Sequence, residues 1–114
     1  MELNVTVLRG RLSSVPELRT LPSGAVVASL AVRAPIAGRM TSVPVTVWDP
    51  PHWVAELDLD DELLVLGGVR RRFFRSASGT GSRVDVEASV VARPDKRRLE
   101  AFARRVEASL AELG

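Results

Sequence analysis

The sequence predicts an all-β fold: a five-stranded barrel with a short helix between its third and fourth strands, followed by one C-terminal α-helix. Three observations predict it. Apolar residues recur with a period of two from Asn4 to Val91. Clusters of Pro, Gly and Ser separate those runs. After Arg93-Pro94-Asp95 the spacing becomes helical and stays so to the end of the chain.

The elements follow in order. Asn4–Leu12 alternates around Val5 and Val7 and forms the first strand. Pro16 and Leu21-Pro22-Ser23-Gly24 mark a turn. Ala25–Arg33 carries Val26, Ala28, Leu30 and Val32 on one face as the second strand. Pro35 and Gly38 mark a short connection to the third strand, Val43–Trp48. That strand has Val43, Val45 and Val47 on one face and Thr46 and Trp48 on the other. Pro50–Leu57 is the one non-strand stretch in this set, and its prolines suit the start of a short helix. Leu63–Phe74 is the fourth strand, with Leu63, Val65, Val69 and Phe73 on the apolar face. Ser76–Ser82 reads as a flexible hairpin loop leading into the fifth strand, Arg83–Val91. Asp95 is placed to cap a helix over Lys96–Leu113, roughly 27 Å long. Residues 1–92 thus form one barrel domain and 93–114 a helical appendage. Five strands with a helix between the third and fourth is the order of an OB-fold barrel, though small barrels of other kinds share much of this pattern.

Composition bounds the function. The 114 residues hold no Cys and one His, His52, which excludes a disulfide scaffold, a thiolate or multi-histidine metal site and a cysteine nucleophile. No metal, cofactor or catalytic group is expected. No apolar run approaches the ~20 residues of a membrane span, and Met1-Glu2-Leu3-Asn4 does not open a signal peptide, so the expected setting is cytoplasmic. The charge balance of 16 basic against 14 acidic residues is mild, but its distribution is not. Asp58, Asp60, Asp61 and Glu62 cluster beside Glu56, whereas Leu63–Val84 holds Arg70, Arg71, Arg72, Arg75 and Arg83 with no acid. The acidic run has no partnering His or phosphate loop and reads as a solvated turn rather than an enzyme's acid–base pair.

Gly10-Arg11-Leu12, Pro16-Glu17-Leu18-Arg19, Pro22-Ser23-Gly24 and Val27-Ala28 occur in that order. Together they resemble the signature of the bacterial single-stranded DNA-binding proteins. Gly67, Val69, Arg72 and Phe74 resemble the end of that family's fourth strand, and the likeness covers about residues 3–92. It implies an OB-fold that coats single strands without sequence preference in replication, recombination or repair, as a homo-oligomer, tetramer or dimer. Glu17 and Arg19 themselves read as loop scaffolding or a subunit contact.

Binding single strands without reading sequence takes cations for phosphates and flat faces for bases. Strand parity sets Arg70, Arg72 and Phe74 on the face opposite Val65, Val69 and Phe73. The resemblance independently implies binding roles for Arg72 and Phe74, and a stacking role for Trp48, whose alternative is a cover for the sheet. Arg33, Arg75 and Arg83 are further candidates for phosphates, each equally readable as surface. Trp53 reads as core. Two stacking positions of the family fall at Gly38 and Ser42, and the connection Ala34–Thr41 is short, so a DNA-embracing hairpin is expected to be missing. Arginine must then carry more of the affinity. With about four phosphate contacts, the log–log salt slope would be near −3.

The resemblance implies a disordered linker and an acidic tip after the barrel, but the residues that follow Asp95 are expected to form a helix. Leu99, Phe102, Val106, Leu110 and Leu113 instead make an apolar stripe that can pack on the chain's own barrel, on an oligomer mate or on another protein. The competing reading of the whole chain is a divergent OB-fold interaction module whose DNA binding is weak or vestigial.

Overall fold

The computed structural model describes residues 2–114. Its elements are β1 (Thr6–Leu12), β2 (Glu17–Thr20), β3 (Val26–Ile36), β4 (Arg39–Trp48), a 3-10 turn (His52–Glu56), β5 (Glu62–Ser76), β6 (Gly79–Ala92) and α1 (Lys96–Leu110), with Ala111–Leu113 tightening into a final 3-10 turn. The sheet order is β1-β5-β6-β4-β3-β2, and β1 also pairs with β3. β1 and β2 run in series along β3, through Leu12↔Val32 and then Glu17↔Ser29. The barrel therefore closes through five strand positions, and its one parallel pairing joins β4 to β6.

Alternation builds the core. Leu12, Ala28, Leu30, Val32, Val45, Val47, Leu63, Val65 and Val86 point inward, and the 3-10 turn adds Val54 and its C-cap Leu57. The expected short helix is in the expected place but is only this five-residue 3-10 turn. Pro51 is extended before it and Leu57 extended after it, so no room remains for α-helical turns.

Three other expectations need correction. Glu17–Thr20 is a strand rather than loop scaffolding. Ala34–Thr41 is not a short connection without a hairpin: β3 and β4 stay paired out to Ile36↔Arg39 and form a hairpin around Ala37-Gly38. Both turn residues have positive φ, 49° and 79°, the geometry of a type I′ hairpin. Likewise Ser76–Ser82 is not a flexible loop, because β5 and β6 pair out to Ser76↔Gly79 across the two-residue turn Ala77-Ser78. The last half of β5 and first half of β6 thus form a long two-stranded arm.

One irregularity organises the barrel wall. β5 pairs Leu66↔Val90 and then Gly67↔Ala88, which leaves Ser89 as a bulge in β6. The Ser89 hydroxyl donates to the Leu66 carbonyl, 3.2 Å away. Gly67 is required opposite it, because a Cβ there would lie 2.1 Å from the Glu87 carbonyl oxygen. Beyond Gly67, Asn4 replaces the missing strand neighbour: its amide donates to the Val69 carbonyl and accepts from the Val69 N–H, both at 2.8 Å.

The outer face of this wall receives α1. Leu64, Leu66 and Phe102 are buried together, with Val5, Val90, Ala92, Leu99 and Val106 packed around them. Of the three possible occupants of the stripe, the chain's own barrel takes Leu99, Phe102 and Val106, while Leu110 and Leu113 stay exposed. Asp95 caps the helix by accepting from the Arg98 N–H at 2.9 Å.

Candidate nucleic-acid interface

The outer faces of β4, β5 and β6 bring together most of the expected binding residues, in two groups. The first group lies on the barrel. Glu87 Oε1 accepts from the Trp48 indole N–H at 2.9 Å and from Arg70 at 2.6 Å. Asp85 Oδ2 accepts from Arg72 Nε at 2.6 Å and from the Thr46 hydroxyl at 2.8 Å. Thr46 and Asp85 are buried, and the Arg72 side chain is 23% exposed. Arg70, Arg72 and Trp48 therefore share the face that parity assigns them, but each is already held by a carboxylate.

The second group lies on the arm. Arg19, Arg72, Phe73, Phe74 and Arg83 line one cleft of about 390 Å³. A neighbouring recess is formed by Phe73, Phe74 and Arg75 with Thr80, Gly81 and Ser82. Phe74 pairs across the arm with Gly81, and a Cβ on Gly81 would meet its ring at 2.7 Å. The missing side chain lets the ring lie down on the backbone. Arg19, Arg75 and Arg83 form no ion pair among the described residues. This is the arrangement a sequence-tolerant site needs: exposed rings with unpaired guanidinium groups beside them.

Two expected positions are corrected. Parity puts Phe73 on the apolar face with Val65, yet it is 80% exposed. The parity is right, since the bulge lies in β6 and leaves the alternation of β5 intact. There is simply no core beneath the arm, so both of its faces meet solvent. Arg33 does not join either group: it pairs with Asp60 at 3.0 Å. Arg19, which reads from sequence as scaffolding, enters the cleft instead. A signal for it is present, because Leu18-Arg19-Thr20 is strand-like in length just before the Leu21–Gly24 turn.

Trp53 is half-buried against the barrel core, with the Arg93 guanidinium 5.3 Å from its ring centroid. Arg9 and Glu62, the last residue of the acidic run, pair at 2.8 Å. That hydrogen bond holds the Glu62 carboxyl below its ordinary range. Among the described residues no group of His, Cys, Asp and Glu side chains is spaced to hold a metal ion, and no helix is long and apolar enough to cross a membrane.

No family model and no curated protein sequence matches the chain. Solved structures do. The wild-type single-stranded DNA binding protein from Thermus aquaticus superimposes with a TM-score of 0.68 and 29% identity over 82% of this chain. A deletion variant of the same protein gives a TM-score of 0.69, also at 29% identity over 82%. The matched part is 41% and 42% of those chains, so this chain spans about two-fifths of their length. The five-position closed barrel, the parallel β4–β6 closure and this likeness agree, and the chain is an OB-fold protein similar to the bacterial single-stranded DNA-binding proteins.

Proposed function

We propose that the chain binds single-stranded DNA without sequence preference and coats it in replication, recombination or repair. The observation that carries this reading is the arm cleft, where Phe73 and Phe74 stand among Arg19, Arg72 and Arg83. The Thermus aquaticus protein that superimposes on this chain is a single-stranded DNA binding protein, which supports the same role here. Bases stack on the two phenylalanines, and Arg19, Arg75 and Arg83 receive phosphates. These three guanidinium groups form no ion pair among the described residues, so about three phosphate contacts are expected from them, with a log–log salt slope of about −2. The role is binding, with no chemical step assigned to any residue. Self-association into a dimer or tetramer belongs to the same proposal, with the exposed Leu110 and Leu113 at the end of the stripe in support.

Anisotropy titration with labelled oligo-dT at two salt concentrations tests it. The double substitution Phe73→Ala, Phe74→Ala should weaken binding roughly tenfold or more, since stacking contributes ~1–3 kcal/mol per base. Unchanged affinity would sink the site. One observation favours a second reading, an OB-fold module for protein contacts: Glu87 and Asp85 already occupy Trp48, Arg70 and Arg72. No binding of oligo-dT at low salt, with a partner that co-purifies through α1, would decide for that reading.

A further inference from the structure

A groove runs between α1, the 3-10 turn and β6, on the side of the barrel away from the arm turn. It consists of two clefts of about 260 Å³ each. They are continuous, because Val90, Val91 and Arg105 line both. One opens beside Trp48, Asp49 and Pro51, where β4 leaves β6 after the Thr46↔Glu87 pairing. The other is lined by Trp53 and by Arg98, Phe102 and Arg105 of α1. Each cleft thus has one indole in its lining, and Arg105 is common to both.

The charges around it are Arg93, Arg98 and Arg105 against Asp49 and Asp95. Asp95 is engaged by Arg98 at the start of the helix, and Arg93 lies over the Trp53 ring. Arg105 is exposed and forms no ion pair among the described residues. It is the group that would meet an anion entering the groove.

β6 links this groove to the arm cleft. Arg83 lies at the arm cleft and Val91 at the groove, roughly 25 Å apart at ~3.3 Å per residue. Between them on the outer face stand Asp85 with Arg72, and Glu87 with Arg70 and Trp48. Trp48 itself lines the groove.

We infer that this groove is a second seat for the same single strand, with a base against Trp53 and its phosphate on Arg105. The inference rests on the proposed single-strand binding and extends it beyond the barrel: α1 becomes part of the nucleic-acid surface. A cleft lined by an indole and by apolar side chains such as Val90, Val91 and Phe102 suits a base, and an exposed guanidinium without an ion pair suits the phosphate beside it. A strand that occupies both seats must be long enough to follow β6, so the groove matters for long ligands and not for short ones.

The test compares oligo-dT of about 4 and about 16 nucleotides, the range of OB-fold site sizes. Arg105→Glu should weaken the long oligomer roughly fivefold or more and lower its salt slope by about 0.7, leaving the short one unchanged. Arg104→Glu makes the same charge change outside both clefts and controls for net charge. Trp48→Phe leaves Trp53 as the one tryptophan. Its emission should be quenched by the long oligomer and not by the short one. Equal effects of Arg105→Glu and Arg104→Glu, or long-oligomer binding by anisotropy without Trp53 quenching, would overturn the second seat while the arm cleft stands. Quenching of Trp53 by an acidic peptide but not by the long oligomer would overturn it in favour of a protein ligand. If neither oligomer binds the unmodified chain, the proposed function fails and the second seat with it.

Discussion

Arg72 Nε donates to Asp85 Oδ2 at 2.6 Å across the β5–β6 arm, and Asp85 is 3% exposed. The residue singled out as a phosphate contact is thus first a structural one. Arg72 Nη2 and Asp85 Oδ1 are both buried with no partner in the protein, so neither group tolerates loss of the other. Asp85→Ala should destabilise the fold by about 3 kcal/mol or more, because it strands a partly buried guanidinium. The paired change Arg72→Leu, Asp85→Leu should cost clearly less. Denaturant melts of the two variants check this, and equal losses would mean the pair itself is stabilising.

Glu87 offers the opposite experiment. One of its oxygens holds both Trp48 and Arg70. Glu87→Gln removes the charge that competes with phosphate, so oligo-dT should bind more tightly and the salt slope should steepen by about 0.7 as Arg70 becomes available. An unchanged slope would place Arg70 outside the strand's path. Tryptophan emission, measured without ligand, should shift as the indole loses its charged acceptor.

Phe102 anchors α1 to Leu64 and Leu66 and is 5% exposed. Phe102→Ala should cost about 3–5 kcal/mol if the helix and barrel melt together. Loss of helical circular dichroism at a lower temperature than the barrel's would instead make them separate units, as the division at residues 92 and 93 expects.

Ala37 sits at φ 49° in the β3–β4 turn, a backbone region that costs an L-residue roughly 1 kcal/mol. Asn tolerates that region and precedes Gly38 in the preferred type I′ pair. Ala37→Asn should therefore raise stability by about 0.5 kcal/mol or more, read as a higher Tm.

Asp95 supplies the pH dependence. The Arg98 N–H, then the Arg98 side chain, hold its carboxyl below the ordinary aspartate range. Its contribution to the helix start is complete above the unfolded-state value near 4 and is lost as pH falls through the lower folded-state value. Protection of the first-turn amides of α1, expressed relative to their intrinsic exchange rate at each pH, should fall in acid. In Asp95→Asn, which keeps a capping oxygen, that acid response should disappear.

Much of this is legible in the residues. Alternation finds five strand positions because each inward face meets the same core: Val45, Val65 and Val86 could point nowhere else. It fails where no core lies beneath the strand. Phe73 obeys the parity of Val65 and still faces water, and Gly79 and Thr80 read as loop although the arm keeps them paired. Parity gives Arg70, Arg72 and Trp48 the right face, but their acceptors are not legible. Which carboxylate meets which cation depends on the β5–β6 register, and that register shifts at Ser89. The short 3-10 turn reads as helix because prolines mark where a helix can begin but not how few residues follow before the chain extends again.

The bulge at Ser89 has a consequence for how this chain can change. Before it, the outward residues of β6 are the odd-numbered Asp85 and Glu87. After it they are the even-numbered Val90 and Ala92, which receive α1. A single inserted residue thus lets one strand serve two outward surfaces with opposite phase. Absorbing Ser89 into a regular ladder would turn Val90 and Ala92 into the barrel and Val91 out toward the helix, whereas deleting it would join Gly67↔Ala88 to Leu66↔Val90 and leave both surfaces as they are. Position 89 is therefore the place in β6 where a residue can be gained or lost as a bulge without inverting either face. What a relative that keeps the helix dock must keep is the pairing of Val90 with Leu66, with or without the bulged residue before it.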